Sequence, residues 1–431
     1  LAKVFCCFFS KNKVFLALPF LSSAKDHFMD LNLSPEELAF RDEIRAFIKA
    51  ELNPETQQKM ILGREIGKQD FVEWQKKLYA KGWATPHWPV EYGGCGWGPV
   101  QEYIFQNELE QAPAPSPLQF NVGMVGPVIA TFGSEEQKKK FLPGTASLDI
   151  WWCQGFSEPG AGSDLAGLKT TARREGDFYI INGQKTWTTL AQYADWIFVL
   201  ARTNPQAEKK QQGISFILVD MKTPGVSVRP IQLIDGGKEV NEVWFDEVKV
   251  PAENLVGQEN RGWDYAKFLL GNERMGIARI GISKQRIRRI KELAKLERYG
   301  DKQLMEEPWF REKLASVEIE LKALEITQLR IVAEARKRGR HGVPDPNSSI
   351  LKIKGSELQQ ATTELMMDVV GPYVLPFGAS MDDEDRTNET PIGPDYAASA
   401  GPTYFNWRKI SIYGGSNEIQ RNILAKAILG F

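Results

Sequence analysis

A chain of 431 residues has room for two or three domains around a large core. Its 54 basic and 55 acidic side chains balance, so nothing in the charge points to nucleic acid or a membrane surface as a partner. The four cysteines and the three histidines, His27, His87 and His341, form neither a metal-ligand spacing nor a disulfide framework, which fits a reducing, cytoplasmic compartment and no bound metal.

The first 28 residues differ from the rest. Lys11 and Lys13 precede an apolar run from Val14 to Leu21 and then Ser22, Ser23 and Ala24, which imitates a signal peptide but is too short to span a bilayer. The sequence opens on Leu1, whereas Met29 is followed by an ordinary domain opening. Residues 1–28 are expected to be a non-domain leader with the start at Met29; the alternatives are an export signal or another targeting peptide. Ser34, Pro35, Glu36 and Glu37 then give a cap, an N1 proline and an acidic first turn, and Leu38, Phe40, Ile44, Phe47 and Ile48 keep helical spacing. Further helices are expected over Lys68 to Lys81, Val100 to Gln111 and Gly133 to Leu142, which makes residues 29–148 an α-helical N-terminal domain.

From Asp149 to about Val256 the period changes to two. Trp196–Leu200, Ile214–Val219, Val226–Arg229 and Glu242–Phe245 read as strands of a β-barrel or sandwich, with Gln206 to Gln212 as a polar hairpin loop. Two stretches of this domain carry the chemistry. Cys153 to Asp164 places small residues between Pro159 and Ser163, so backbone N–H groups can approach a bulky polar ligand. Asn182-Gly183, between Phe178–Ile181 and Lys185–Thr189, is a strong hairpin signal, and alternation would set Trp187 and Thr189 on one face, a flat aromatic beside a hydroxyl, suited to a planar heterocycle. Each motif alone is also common in purely structural β-domains.

After Gly262 the period is helical again, and residues 257–431 read as a helical C-terminal domain. Over Arg261 to Leu293 one helix is expected, with the stripe Ala266, Leu270, Ile277 and Ile280; Glu273 completes its spacing. A carboxylate on a buried face needs a reason. It is either a functional acid or base, or one half of an ion pair with Arg274 or another cation.

Taken together, the Cys153–Asp164 and Asn182–Thr189 segments resemble the flavin-binding β-domain of the acyl-CoA dehydrogenase family, and the resemblance runs from about Leu33 to Phe431. It implies an α+β multidomain chain with a helical N-terminal domain, a central β-domain at 149–256 and a C-terminal domain like a four-helix bundle. It implies FAD as cofactor, an acyl-CoA as substrate and an electron-transfer flavoprotein as electron acceptor, in fatty-acid β-oxidation chemistry. For the flavin, it carries over Gln154, Phe156 and Ser157 as ring contacts, Ser157 standing where threonine is usual. Gly162 and Ser163 follow near ring and substrate, then Trp187 and Thr189 beside the ring, with Ser416 and Asn417 as further cofactor contacts. Asp164 and Glu158 are expected to brace the turn.

Most members place the catalytic base in a Tyr-Glu-Gly-Thr segment, which here reads Tyr413-Gly414-Gly415-Ser416. A subset that includes isovaleryl- and long-chain-type enzymes instead carries the glutamate just before a substrate-side arginine, and Asn272-Glu273-Arg274-Met275 is similar to that arrangement. The resemblance therefore makes Glu273 the base, Arg274 and Ser163 substrate contacts, and the Gly414 N–H a donor to the thioester carbonyl.

Two family features depart. Leu296 stands where an arginine usually reaches the partner subunit's flavin pyrophosphate, and Met366 to Tyr373 keeps a lone Gly371 of a Gln-x-x-Gly-Gly segment, followed by an insertion from Pro376 to Pro402. Both serve the partner's cofactor, so the chain is expected to form either a homo-oligomer with substitute contacts or a hetero-oligomer with a related small subunit, as pimeloyl-type and steroid side-chain enzymes do. An oxidase or monooxygenase on the same fold, and a structural subunit, are the competing readings.

Overall fold

The computed structural model describes residues 32–272, 278–338, 347–376 and 392–430. The leader with Met29, the segment 273–277 that holds Glu273 and Arg274, and most of the insertion between Pro376 and Pro402 lie outside the described residues.

Helix α1 (Pro35–Glu51) starts where local chemistry dictates: the Ser34 hydroxyl accepts from the Glu37 N–H while the Glu37 carboxylate accepts from the Ser34 N–H. Its Ile44 and Ile48 are buried against Trp74, Trp83 and Phe105, but Leu38 lies at the surface. A short α2 (Pro54–Ile61), not expected above, is capped by Asn53 with proline at N1. Helices α3 (Lys68–Lys81) and α4 (Pro99–Gln111) fall where the spacing puts them. A π-helical turn at Phe120–Val125 runs into α5 (Gly126–Phe132), also unexpected, because glycine and proline read as breakers and its buried Val128, Ile129 and Ala130 give no polar face. Helix α6 (Glu135–Ser147) opens on a Ser134–Gln137 capping box and continues through Pro143, five residues beyond the expected end.

Among the described residues seven strands form one sheet: β1 (Trp152–Gly155), β2 (Thr171–Glu175), β3 (Phe178–Thr189), β4 (Trp196–Arg202), β5 (Ile214–Asp220), β6 (Val226–Ile231) and β7 (Val240–Pro251), ordered β1-β4-β2-β3-β7-β6 with β5 on β4. At β4 and β5 both faces are buried. Phe198 and Leu200 of β4 and Phe216 and Leu218 of β5 join a core shared with α5, α6 and the helix after β7, whereas Ile197, Val199, Ile217 and Val219 face the opposite core. Such strands read as unbroken apolar runs.

Asn182-Gly183 does not turn the chain. Strand β3 runs straight through it, and the β2–β3 hairpin closes at Gly176-Asp177 instead. Opposite Asn182, β7 carries an extra residue: pairing jumps from Ile181–Val248 to Gly183–Phe245, Glu247 sits at φ +48, and the Asn182 side chain binds the Glu247 N–H and carboxylate. Gly183 is required by close approach, since a Cβ there would lie 2.5 Å from Thr170 Oγ1. The Asn-Gly signal marks a β-bulge, the other use of those residues.

The helix expected over Arg261 to Leu293 is two helices, α7 (Gly262–Asn272) and α8 (Ile280–Leu296), with Arg279 between them at φ +44, which α-helix cannot contain. The buried stripe of α7 is Tyr265, Ala266 and Leu269; Leu270 is only partly buried. A two-strand hairpin, β8 (Arg298–Tyr299) and β9 (Lys302–Gln303), leads to α9 (Pro308–Arg338) and α10 (Ser348–Val370), and Ile287, Ile290, Leu314, Leu321, Leu351 and Leu358 of α8, α9 and α10 share one core. Helices α11 (Ala400–Trp407) and α12 (Asn417–Leu424) lie against α10. Among the described residues no helix is long and apolar enough to cross a membrane.

The joint between the N-terminal domain and α8 is a buried carboxylate. Glu110, at the end of α4, accepts from the Gly281 N–H at 3.0 Å and so caps the first turn of α8. Burial pushes its carboxyl up to about 7, opposed by Arg279, the Gln106 amide and the N–H groups of Gly281 and Ile282. The folded chain therefore binds this proton more tightly than the unfolded one, and the resulting stability is present at low pH and lost as pH rises from 4.5 through about 7. Glu110→Gln is expected to remove that part of the pH slope of the unfolding midpoint, measured by thermal denaturation across the same window; an unchanged slope would assign it to other groups.

Candidate functional site

The glycine-rich turn is built from beneath. After β1 the chain reverses over Pro159-Gly160, closed by two backbone bonds between Glu158 and Ala161, each 3.0 Å. The Glu158 side chain is buried below it and accepts from the Lys169 N–H (2.6 Å), the Thr170 N–H (2.9 Å) and Lys185 Nζ (2.8 Å). Lys185, wholly buried on β3, also donates to the Phe156 carbonyl. Above this brace Gly160, Gly162, Ser163 and Asp164 are exposed, and a Cβ at Gly160 or Gly162 would meet nothing within 4 Å. The turn therefore offers an open backbone surface on a fixed base.

The two stretches singled out in the sequence meet here. Thr186 on β3 donates its N–H to the Ser157 carbonyl at 2.9 Å. A second bulge follows at once: β3 carries an extra residue between Lys185–Val243 and Thr188–Asn241, and Trp187 takes φ +58. The bulge turns the Trp187 ring outward, 59% exposed, while Thr188 is buried and Thr189 partly open. Gln154 is half-buried at the end of β1. Phe156 points its ring into the core, edge-on to Phe198 at 5.7 Å and to Phe216, so its side chain builds the sheet rather than the open surface.

The C-terminal domain reaches the same end of β3. Leu190, next to Thr189, donates its N–H to the Glu239 carbonyl at 2.7 Å. The Glu239 carboxylate in turn pairs with Lys409, and Asn406 donates to Asp235 and Glu239. Five residues beyond Lys409, Gly414 and Gly415 take φ +66 and +79, conformations that glycine enters without strain. Among the described residues the Gly414 N–H has no hydrogen-bond partner; only its carbonyl is used, by Gln420. Ser416 caps α12 by accepting from the Ile419 N–H, and the Asn417 side chain is buried and turned inward to Lys352 and Ser356. Glu273 and Arg274 belong to the residues not described.

Sequence reasoning missed several contributors. Lys185 read only as a strand residue, yet it is the cation that makes burial of Glu158 possible. Glu239 and Lys409 carried no local signal. The buried polar residues of α10, Ser349, Lys352 and Ser356, did leave one, polar side chains at helical spacing along one face. An open groove of about 480 Å³ between α8 and α9, lined by Lys291, Met305, Arg311 and Glu318, shares no residue with this cluster.

Comparison with known proteins bears on the whole chain. Three family models match in succession: the N-terminal domain of acyl-CoA dehydrogenase over residues 34–149, its middle domain over 153–248 and its C-terminal domain over 260–429. The acyl-CoA dehydrogenase IpdE1 of Mycobacterium tuberculosis is 36% identical over 360 residues, which is 83% of this chain and 87% of the relative. Among solved structures, the ChsE4-ChsE5 complex from Mycobacterium tuberculosis superposes with a TM-score of 0.77 at 30% identity, over 94% of this chain and 99% of that one. The Tcur3481-Tcur3483 steroid ACAD gives 0.79 at 31% identity, over 94% and 99%. The order of helical, β and helical domains agrees with these matches, and the chain belongs to the acyl-CoA dehydrogenase family of FAD-dependent oxidoreductases.

Proposed function

We propose that this chain dehydrogenates an acyl-CoA thioester across its α and β carbons to the trans-2-enoyl-CoA, with the electrons passing to an electron-transfer flavoprotein in the cytoplasm. The observation that carries the reading is the Thr186–Ser157 bond, because it joins the backbone cradle directly to the strand that carries the outward Trp187. The residues present fit the cofactor: open space above Gly160 and Gly162, an exposed indole at Trp187, and a Gly414 N–H with no partner among the described residues. FAD supplies the hydride acceptor when bound. Gln154, Ser157, Gly162, Ser163, Trp187 and Thr189 are the proposed side of the site that holds it, with Phe156, Ser416 and Asn417 supporting from behind. Glu273 is the proposed base for the α-proton, and the Gly414 N–H would stabilise negative charge growing on the thioester oxygen.

The proposal extends to the substrate and to assembly. Both solved relatives are named as paired subunits, one of them a steroid enzyme. In this chain Leu296, where an arginine would reach a partner's cofactor, is 70% exposed at the end of α8, and Gly371 terminates α10 at φ +56. An apolar end facing outward suits a partner chain better than a phosphate. We therefore read the chain as the subunit of a hetero-oligomer that supplies the base, acting on a bulky acyl-CoA. The test is mass and visible absorbance of the chain purified alone and then co-expressed with a related small subunit. Flavin appearing only on co-expression supports the shared site; one flavin per subunit in a stable homo-oligomer rejects it.

A further inference from the structure

We infer that Lys352 is a positioning residue for the Gly414 N–H, acting with Ser349 and Ser356 from the same face of α10. The inference rests on the proposed role of that N–H as donor to the thioester carbonyl. Two successive glycines have little conformational preference of their own, so a donor placed on them stays in register only if the flanking chain is held. Here it is held on both sides by one atom. Lys352 Nζ donates to the Ser411 carbonyl at 3.1 Å, before the glycines, and to Asn417 Oδ1 at 2.9 Å, after them. An ammonium has three donors and no acceptor, so a single group can fasten two acceptors at once with charge-assisted bonds.

Ser349 and Ser356 extend the clamp. Ser349 donates to Gln420 Oε1 at 2.8 Å, and the amide nitrogen of Gln420 reaches the carbonyls of Gly414 and Gly415 at 3.5 and 3.4 Å. Ser356 and Asn417 are hydrogen-bonded side chain to side chain. Ser349, Lys352 and Ser356 are all completely buried, and Asn417 and Gln420 nearly so. Gly415 is pressed onto this layer, since a Cβ there would lie 2.5 Å from Gln420 Nε2. An apolar side chain at 352 would fill the space without the cost of desolvating an ammonium. What the lysine adds is direction, with both ends of the glycine loop drawn to α10 while the Gly414 N–H bonds none of the described residues.

The test compares Lys352→Met and the milder Ser349→Ala with wild type, as flavin-loaded enzyme together with any subunit that co-purifies. Three quantities are read: kcat, KM for the acyl-CoA that wild type turns over best, and the Kd of the thioether analogue of that substrate, which lacks the carbonyl. Lys352→Met is expected to lower kcat by about 10- to 100-fold, and Ser349→Ala by less, with KM, flavin content and the thioether Kd unchanged. An unchanged kcat in both variants, or a thioether Kd that weakens in step with kcat, overturns the inference, the second because it means general distortion. Should Lys352→Met fail to fold, Ser349→Ala decides by the same two readouts. A flavin-bound wild type that dehydrogenates no acyl-CoA would instead sink the proposed function, and this inference with it.

Discussion

Glu273→Gln is expected to cut turnover of an acyl-CoA by about 10²- to 10⁴-fold, the usual worth of a positioned general base, while flavin content and KM stay close to wild type. Glutamine keeps the size and the hydrogen-bonding reach of glutamate but accepts no proton at neutral pH. Dehydrogenation needs the α-proton removed on one side of the substrate and hydride on the other, so the loss falls on the chemical step and not on binding. No side chain in the Gly414 segment can take over. Gly414 and Gly415 have none, and the nearest carboxylate in sequence, Glu418, is held below the usual range by backbone N–H at the start of α12 and by Ser416, which makes it a weaker base. The check is a stopped-flow measurement of flavin reduction under anaerobic conditions. Full-rate reduction by the variant would remove Glu273 from the mechanism.

Lys185→Met should produce the largest loss of stability, about 3–5 kcal/mol, because it leaves the buried Glu158 carboxylate without its cation. Burial pushes the Glu158 carboxyl up, yet Lys185 and the donors at Thr170 and Lys169 hold it below its ordinary value; burial pushes the Lys185 ammonium down to about 8 against the pull of Glu158. Both groups are charged at neutral pH. A carboxyl whose folded pKa is lowered contributes stability above its unfolded range and loses it as pH falls through the folded value. The gap between wild type and Lys185→Met is therefore expected to be open at neutrality and to close on acidification, as followed by denaturant unfolding at several pH values. The same variant should lose flavin, since Lys185 also holds the Phe156 carbonyl, one residue from the bond between Ser157 and Thr186. A gap that does not vary with pH would mean that packing at position 185, and not the ion pair, sets the loss.

Much of the candidate site is legible before folding because its glycines and its Trp-Thr pair sit in two short stretches. How those stretches work is another matter. Alternation alone places Trp187 and Thr189 on one face, but Trp187 is thrown outward by a bulge that exists only because β3 pairs with β7 in a particular register. The stripe through Leu270 and Ile280 presumes one helix, and the positive φ at Arg279 divides it.

By itself the sequence determines what is set within a few residues. Ser34 and Ser134 cap their helices through side-chain bonds three positions away, and Asn53 caps its helix two positions on. The period of apolar residues separates helical ends from a β-centre, and Gly160 and Gly162 mark where backbone lies open. Tertiary structure alone decides which buried charges and amides find one another. Glu158 meets Lys185 across 27 residues, Lys352 meets Asn417 across 65 and Glu110 meets Gly281 across 171. No short-range pattern encodes these pairings. Each partner is costly to bury alone, and only the assembled sheet and helices bring the other half within hydrogen-bond reach.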